Sequence, residues 1–257
     1  MTHSTAIIDQ LHRHRSVRRY LSDPVPAELV AATVAAGQSA ATSSNLQLYS
    51  AVAVTEQGTR YRLAELCGDQ DHIRQAPVFI AWCADLSRLE RVCRARGYDV
   101  ESGYLENFLV AAIDTALLMQ NAVLAAESLG LGTCYIGAIR NRPAEVIETL
   151  ELPLLTFPIA GMTLGWPAGE GSTRPRLATE AVLHWERYDP TSEGPLLERY
   201  DEAMKATGIY RGRQVATAES EGEVDDYGWL EHSARRVSKR VRVGLRQVVE
   251  EQGFGLK

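Results

Sequence analysis

The stretch YLENFLVAAIDTALLMQNAVLAAESLGLG, residues 104–132, constrains the fold more than any other part of the chain. A helix over residues 105–129 would run about 37 Å at 1.5 Å per residue, long enough to cross a bilayer. It is apolar nearly all round, so most of its surface must be covered. Asp114, Gln120, Asn121 and Glu127 interrupt it, and such side chains are costly in lipid. Its alanine-rich surface suits close helix packing in a core or against a second copy. The segment therefore reads as a core or interface helix of a soluble domain, and not as a membrane span.

Four apolar runs bounded by turn residues read as buried strands: YSAVAVT (49–55), VFIAWCAD (78–85), TCYIGA (133–138) and FPIAGMTLGW (157–166). Helical patterns separate them. TAIIDQLHRHR has helical spacing, and PAELVAATVAAG carries Pro26 near its start and Gly37 at its end. The pattern predicts an α+β chain with a mixed central sheet flanked by helices. After Trp166 the composition turns to Gly, Pro, Ser and Thr, which predicts a surface loop before the helix LLERYDEAMKATG. The polar stretch RGRQVATAESEGEVDDYG reads as mobile. A last helix, WLEHSARRVSKRVRVGLRQVVEEQG, is expected to put Val237, Val241, Leu245 and Val248 on one stripe and a basic, solvated face elsewhere.

With 257 residues and a net charge of -6, the chain has no general attraction to nucleic acid or an anionic membrane, so basic clusters act locally. HRHRSVRRY, residues 12–20, packs four arginines and two histidines into nine positions. Read locally, it is either a solvated charge run or an anion site, since guanidinium forks match phosphate oxygens. Cys67, Cys83, Cys93 and Cys134 lack metal-ligand spacing and read as buried free thiols. With no secretory leader at the start, they point to a reducing cytoplasm.

Three further clusters carry polar groups. TSSNLQ (42–47) offers hydroxyls and amides ahead of a strand, or caps for a loop. LGLGTCYIGAIRN (129–141) lets backbone groups approach a flat ligand, but has neither the dinucleotide-binding glycine spacing nor a P-loop. STRPRL (172–177) sets Arg174 and Arg176 two apart, on one side of an extended segment. No Ser-His-Asp order, carboxylate pair or metal spacing stands out, which suits a phosphorylated cofactor that brings its own reactivity.

Taken in order, HRSVRRY, TSSNLQ, CGDQDHIRQAPVFIAWCAD, AAIDTALLMQNAVLAAESLGLGTCYIGAIRN, LGWPA and RPRL resemble the nitroreductase family, over roughly residues 8–254. The similarity is to its larger-chain subgroup of oxygen-insensitive NADPH nitroreductases and NADPH-flavin oxidoreductases. It implies a single domain over 1–257 with a dimer-wrapping tail from about 190, an intertwined homodimer, and FMN at the subunit interface. His14, Arg15, Ser16 and Arg18 match the family's HRSxR and would contact the FMN phosphate and ribityl chain. Thr42, Ser43, Ser44 and Gln47 match its SSSxLQ loop near the ring or chain, and Gln70 matches the glutamine of GGQxH. Tyr135, Ile136, Gly137 and Ala138 match YIGG, with alanine for the second glycine. Arg174 and Arg176 match KPR on the phosphate side, with arginine for lysine. Arg211 and Arg213 match tail arginines that hold NADPH, although the acidic run from Glu219 to Asp226 departs from the more basic loop of many relatives and leaves NADPH against NADH open.

The resemblance implies a cytoplasmic enzyme without a metal or protein nucleophile, in which NADPH and then a nitroaromatic, quinone or flavin react in ping-pong fashion. The rival readings are a specialised flavin reductase on the same scaffold and a flavin-binding sensor with little turnover.

Overall fold

The apolar runs of the sequence meet side by side in one sheet. In the computed structural model, which describes residues 4–217 and 224–257, its strands are β1 (Tyr49–Val54), β2 (Val78–Asp85), β3 (Gly132–Ile136) and β4 (Thr156–Gly165), in the order β1-β2-β4-β3. All three strand pairs are antiparallel. Outside these strands, Ser16 forms an isolated parallel bridge to Thr133 at the β3 edge.

Every residue of β2 is buried, because both faces of the sheet are covered. Val78, Ile80 and Trp82 face one way and share a core with Leu118, Met119, Ala122 and Val123. Phe79, Ala81 and Cys83 face the other way, towards Leu63, Leu66, Ile73, Ile139 and Val146. The alternation is the two-residue period of a strand with no solvent face.

The helices that supply these faces come in chain order: α1 (Ala6–His12), α2 (Ala27–Gly37), α3 (Gln57–Leu66), α4 (Asp71–Gln75), α5 (Ser87–Arg96), α6 (Leu105–Ser128) and α7 (Pro143–Thr149). The long apolar segment is α6. It ends where Gly130 takes a left-handed φ of 80°, while Gly130 N–H bonds Glu127 O and Leu131 N–H bonds Ala126 O at 3.0 and 2.9 Å. This is a Schellman end, which satisfies the last carbonyls and turns the chain into β3. α6 is long and apolar enough to cross a membrane by composition, and its face of Ala111, Leu118, Met119, Ala122, Val123 and Ala126 is buried within the chain.

The chain divides into two compact units, one of residues up to Gly171 with Arg242–Lys257, the other Ser172–Val241. The second holds α8 (Glu193–Ala206) and α9 (Trp229–Val237). Tyr200 meets Trp229 edge-on at 5.2 Å, and Tyr210 stacks on His232 at 4.5 Å. Lys205 pairs with Asp201, Glu202 and Asp226. The acidic run and the stretch read as mobile fall in part on residues 218–223, outside the described residues.

The single C-terminal helix expected from the sequence does not form. α9 stops at Val237, and α10 (Leu245–Glu251) begins after a non-helical stretch. Arg242 lies there with φ 53°, held by its Nε–H on Asn141 Oδ1 at 3.0 Å. Two β-branched valines, Val241 and Val243, and Gly244 lower the helical preference of the stretch, and Val237, Val241 and Val243 are 83, 60 and 81% exposed. The expected apolar stripe is therefore broken, and α10 instead adds Val249 to a core with Leu155, Phe157 and Phe254.

Candidate functional site

The segment after α1 is laid along the β3 edge. Val17 N–H bonds Thr133 O at 2.8 Å, Leu21 N–H bonds Trp166 O at 2.9 Å, and Ala168 N–H bonds Arg19 O at 3.0 Å. The Tyr20 hydroxyl donates to Val17 O at 2.7 Å and pairs with Thr163 Oγ1 at 2.7 Å. A side chain at Gly132 would lie 2.6 Å from Val17 Cγ2, so the glycine is what lets the two backbones meet. His14, Arg15, Ser16 and Arg18 thus lie at one corner of the sheet, His14 and Arg15 half-buried, and Ser16 and Arg18 exposed like His12, Arg13 and Arg19.

The Glu127 carboxylate, from the last turn of α6, orders this corner. It holds His14 Nδ1 at 2.6 Å and lies close enough to Tyr135 to add to burial in pushing that phenol up. One ring nitrogen of His14 is therefore committed to the protein, leaving Nε2 for a ligand. Gln10, Arg13, Arg15, Glu127, Gly130 and Gly132 line a cavity of about 460 Å³. Arg15 Nε is buried there without a hydrogen-bond partner among the described residues.

Gln70 and His72 join the same corner. The turn between α3 and α4 runs through left-handed Gly68 and Asp69, and the Gln70 side-chain amide donates to Cys67 O at 2.6 Å. His72 Nε2 is a second buried nitrogen with no partner among the described residues. Burial and then the Arg18 guanidinium hold the His72 imidazole below its ordinary range, against a smaller opposing pull from Asp71; Arg18 and His72 are therefore near neighbours. Tyr135 and Ile136 end β3, and Gly137 and Ala138 enter a 3-10 turn, Gly137–Arg140. Arg140 lies beneath, bonded to Ile159 O.

The loop with Thr42, Ser43, Ser44 and Gln47 lies elsewhere. It enters β1, at the sheet edge opposite β3, roughly 14 Å away at the spacing of three strand intervals. Ser44, Asn45 and Gln47 adopt φ of 50, 55 and 53°, a left-handed region that costs a non-glycine residue about 1 kcal/mol or more. Asp114, 1% exposed, accepts Ser43 N–H at 3.0 Å and Leu48 N–H at 3.3 Å.

Arg174, Arg176, Arg211 and Arg213 all belong to the second unit and are exposed. Arg176 Nη1 folds back on the carbonyls of Arg174 and Pro175, both at 3.2 Å. The positive charge of Arg174 acts on the Tyr210 phenol. Arg211 lines a cavity of about 390 Å³ with Lys205, Tyr210, Gln214 and Tyr227, and Arg213 N–H bonds Tyr210 O at 3.0 Å.

Comparison with known proteins decides what kind of site this is. Residues 11–166 match the model of the nitroreductase family, and residues 174–257 match the model of the nitroreductase family C-terminal domain. The chain belongs to the nitroreductase family. It is 37% identical over 250 residues to an oxygen-insensitive NADPH nitroreductase of Salmonella typhimurium, covering 97% of this chain and 98% of that one. An FMN reductase [NAD(P)H] of Bacillus subtilis is 36% identical, with 96 and 97% coverage. Among solved structures, NfrA2 of B. megaterium superposes with a TM-score of 0.90 at 33% identity, covering 99% of this chain and 100% of that one. The NADPH:FMN oxidoreductase of Vibrio harveyi, solved with NAD+, gives 0.85 at 29% identity, with coverage of 98 and 99%.

In this nitroreductase-family chain four residues outside the motif matches contact or adjoin these segments: Asp114, Glu127, His72 and Arg88, the last bonding Gln47 O at 3.1 Å. Asp114 and Glu127 are signalled only as polar breaks in an apolar helix. His72 stands two places after Gln70 in the quoted GDQDH, and Arg88 sits in an ordinary charged helix.

The state of His72 makes stability pH-dependent. As pH falls, the unfolded chain takes up a proton at this ring before the folded chain does, so folded-state stability is full above about pH 7 and declines towards about pH 5. His232, lowered by burial and Arg236, adds to the same decline. His72→Gln should flatten part of the slope of melting temperature against pH between about 7 and 5. A slope identical to wild type would contradict a His72 kept neutral by burial and Arg18.

Proposed function

We propose that the chain is an FMN-dependent NADPH oxidoreductase that reduces nitroaromatics, quinones or flavins. The observation that carries the reading is the pair of buried, unpartnered nitrogens, Arg15 Nε and His72 Nε2, in a corner that also gathers Ser16, Arg18 and Gln70. Buried polar groups are seldom left unpaired, and a phosphorylated, polyhydroxylated flavin offers acceptors for such donors. Gly137 agrees: a side chain there would meet only the tip of Arg140 at 3.6 Å, so the chain's own packing does not require glycine.

FMN supplies the hydride chemistry when bound. The residues bind and orient it: His14 through Nε2, Arg15, Ser16 and Arg18 with the phosphate and ribityl oxygens, Gln70 and the backbone of Tyr135, Ile136, Gly137 and Ala138 with the ring. On the second unit, Arg174 and Arg176 are cations suited to a phosphate, and Arg211 and Arg213 to the 2′-phosphate of NADPH. With FMN held there, NADPH and then the acceptor would react in ping-pong order. No thiol acts as nucleophile, in keeping with Cys67 and Cys83, whose thiols burial pushes up to about 12.

The working unit is a homodimer. Thr42, Ser43, Ser44 and Gln47 sit at the sheet edge away from the arginine corner, so they serve a flavin held by a second copy. Leu105, Leu109, Ile113 and Leu117 support this, forming an i, i+4 stripe along α6 that is 44, 41, 54 and 44% exposed. The four free cysteines suit a cytoplasmic protein.

Arg18→Ala and Arg176→Ala should each weaken FMN binding by about 1.5–3 kcal/mol, the worth of a charge-assisted bond. Arg211→Ala or Arg213→Ala should raise KM for NADPH more than for NADH. Fluorescence titration and initial rates check both; unchanged FMN affinity, or equal effects on the two nucleotides, contradicts the assignments. Sedimentation of the 28.3 kDa chain should give twice the monomer mass, and a monomer bearing full activity contradicts the shared site.

A further inference from the structure

We infer that Asp114 and Arg88 are positioning residues that hold the 42–49 loop in its left-handed shape before the flavin arrives. The inference rests on the proposed function, which assigns this loop to the cofactor.

The sheet holds the far end of the loop, where Asp85 N–H bonds Leu48 O at 3.0 Å. Three of its residues, Ser44, Asn45 and Gln47, sit in the left-handed region without being glycine. Its internal hydrogen bonds are few, Leu46 N–H to Ser43 O and Tyr49 N–H to Gln47 O, each 2.9 Å. Leu48 and Tyr49 at that end are buried in the core, while a cavity of about 620 Å³ adjoins the loop, with Gln38, Asn45, Gln47, Tyr49 and Arg88 in its wall. The Tyr49 hydroxyl is buried there without a partner among the described residues.

The two ends of the loop are also held by one acceptor and one donor. The Asp114 carboxylate takes the amides of Ser43 and Leu48 on its two oxygens, at 3.0 and 3.3 Å. Arg88 takes the carbonyls of Gln47 and Tyr49 at 3.1 and 3.3 Å, and the Ser50 hydroxyl oxygen at 3.1 Å. Asp85 anchors Arg88 in turn at 3.7 Å, and Ser50, Ser87 and Thr156 hydrogen-bond the Asp85 carboxylate. A carboxylate satisfies amides and a guanidinium satisfies carbonyls, so the pair fixes both backbone polarities across a turn that borders a cavity. Preordering of this kind removes a loop-ordering cost from cofactor binding.

Asp114→Asn keeps the shape of the side chain but points an amide N–H at a backbone N–H, and Arg88→Ala removes the other hold from the surface. Amide hydrogen exchange on the cofactor-free full chain should quicken about tenfold at Ser43 and Leu48 in Asp114→Asn, with the amides of β2 unchanged. FMN titration should give each variant a dissociation constant raised about tenfold, equivalent to about 1.4 kcal/mol. If Asp114→Asn also quickens exchange in β2, it destabilises the whole fold, and Arg88→Ala then decides on the same FMN titration. Variants that bind FMN as wild type does, whether or not the loop amides exchange faster, overturn the inference and leave the proposed function standing. A wild-type chain that takes up no FMN overturns both.

Discussion

The contact between α6 and the sheet is the constraint from which the rest of the site follows. One face of the helix carries Leu118, Met119, Ala122 and Val123 onto the even side of β2, and burial of apolar side chains of this size is worth about 1.5–3 kcal/mol each. That packing carries two carboxylates into fixed places. Asp114 and Glu127 lie 13 residues apart on the helix, roughly 20 Å at 1.5 Å per residue. One takes the amides of the 42–48 loop, the other takes His14 beside the arginine segment. A shift of α6 along the sheet would move both corners together.

The same geometry sets two groups of motif residues apart. The two groups of motif residues flank the sheet at opposite edges, β1 and β3, and α6 holds them apart. The exposed stripe from Leu105 to Leu117 lies on that same helix, where the proposed homodimer would pack. The apolar excess that first marks residues 104–132 thus splits in two, one face buried in the core and one exposed stripe that the proposed homodimer would cover.

Much of the fold is legible in the sequence because its signals are local. The four strands fall within a few residues of their apolar runs, and α6 ends at the glycine that its Schellman bonds require. Two things are not local. The broken C-terminal helix escapes a reading by periodicity, because valines at 237 and 241 keep helical spacing while Arg242 is drawn into a left-handed turn by Asn141, a hundred residues earlier. The duties of Asp114 and Glu127 depend on partners 71 and 113 positions away, so the sequence displays only their polarity. The arginine motifs are recognisable by type and order, whereas the unpaired Arg15 and His72 nitrogens emerge only once burial is known.

The most direct test of the chemistry is anaerobic stopped-flow mixing of the purified, FMN-loaded protein with NADPH. Loss of the visible flavin absorption on mixing, followed by its return when a quinone or nitroaromatic is added, is the result expected of an NADPH-dependent flavin oxidoreductase. A flavin band that persists with excess NADPH would contradict that function and leave a protein that binds flavin without turning it over.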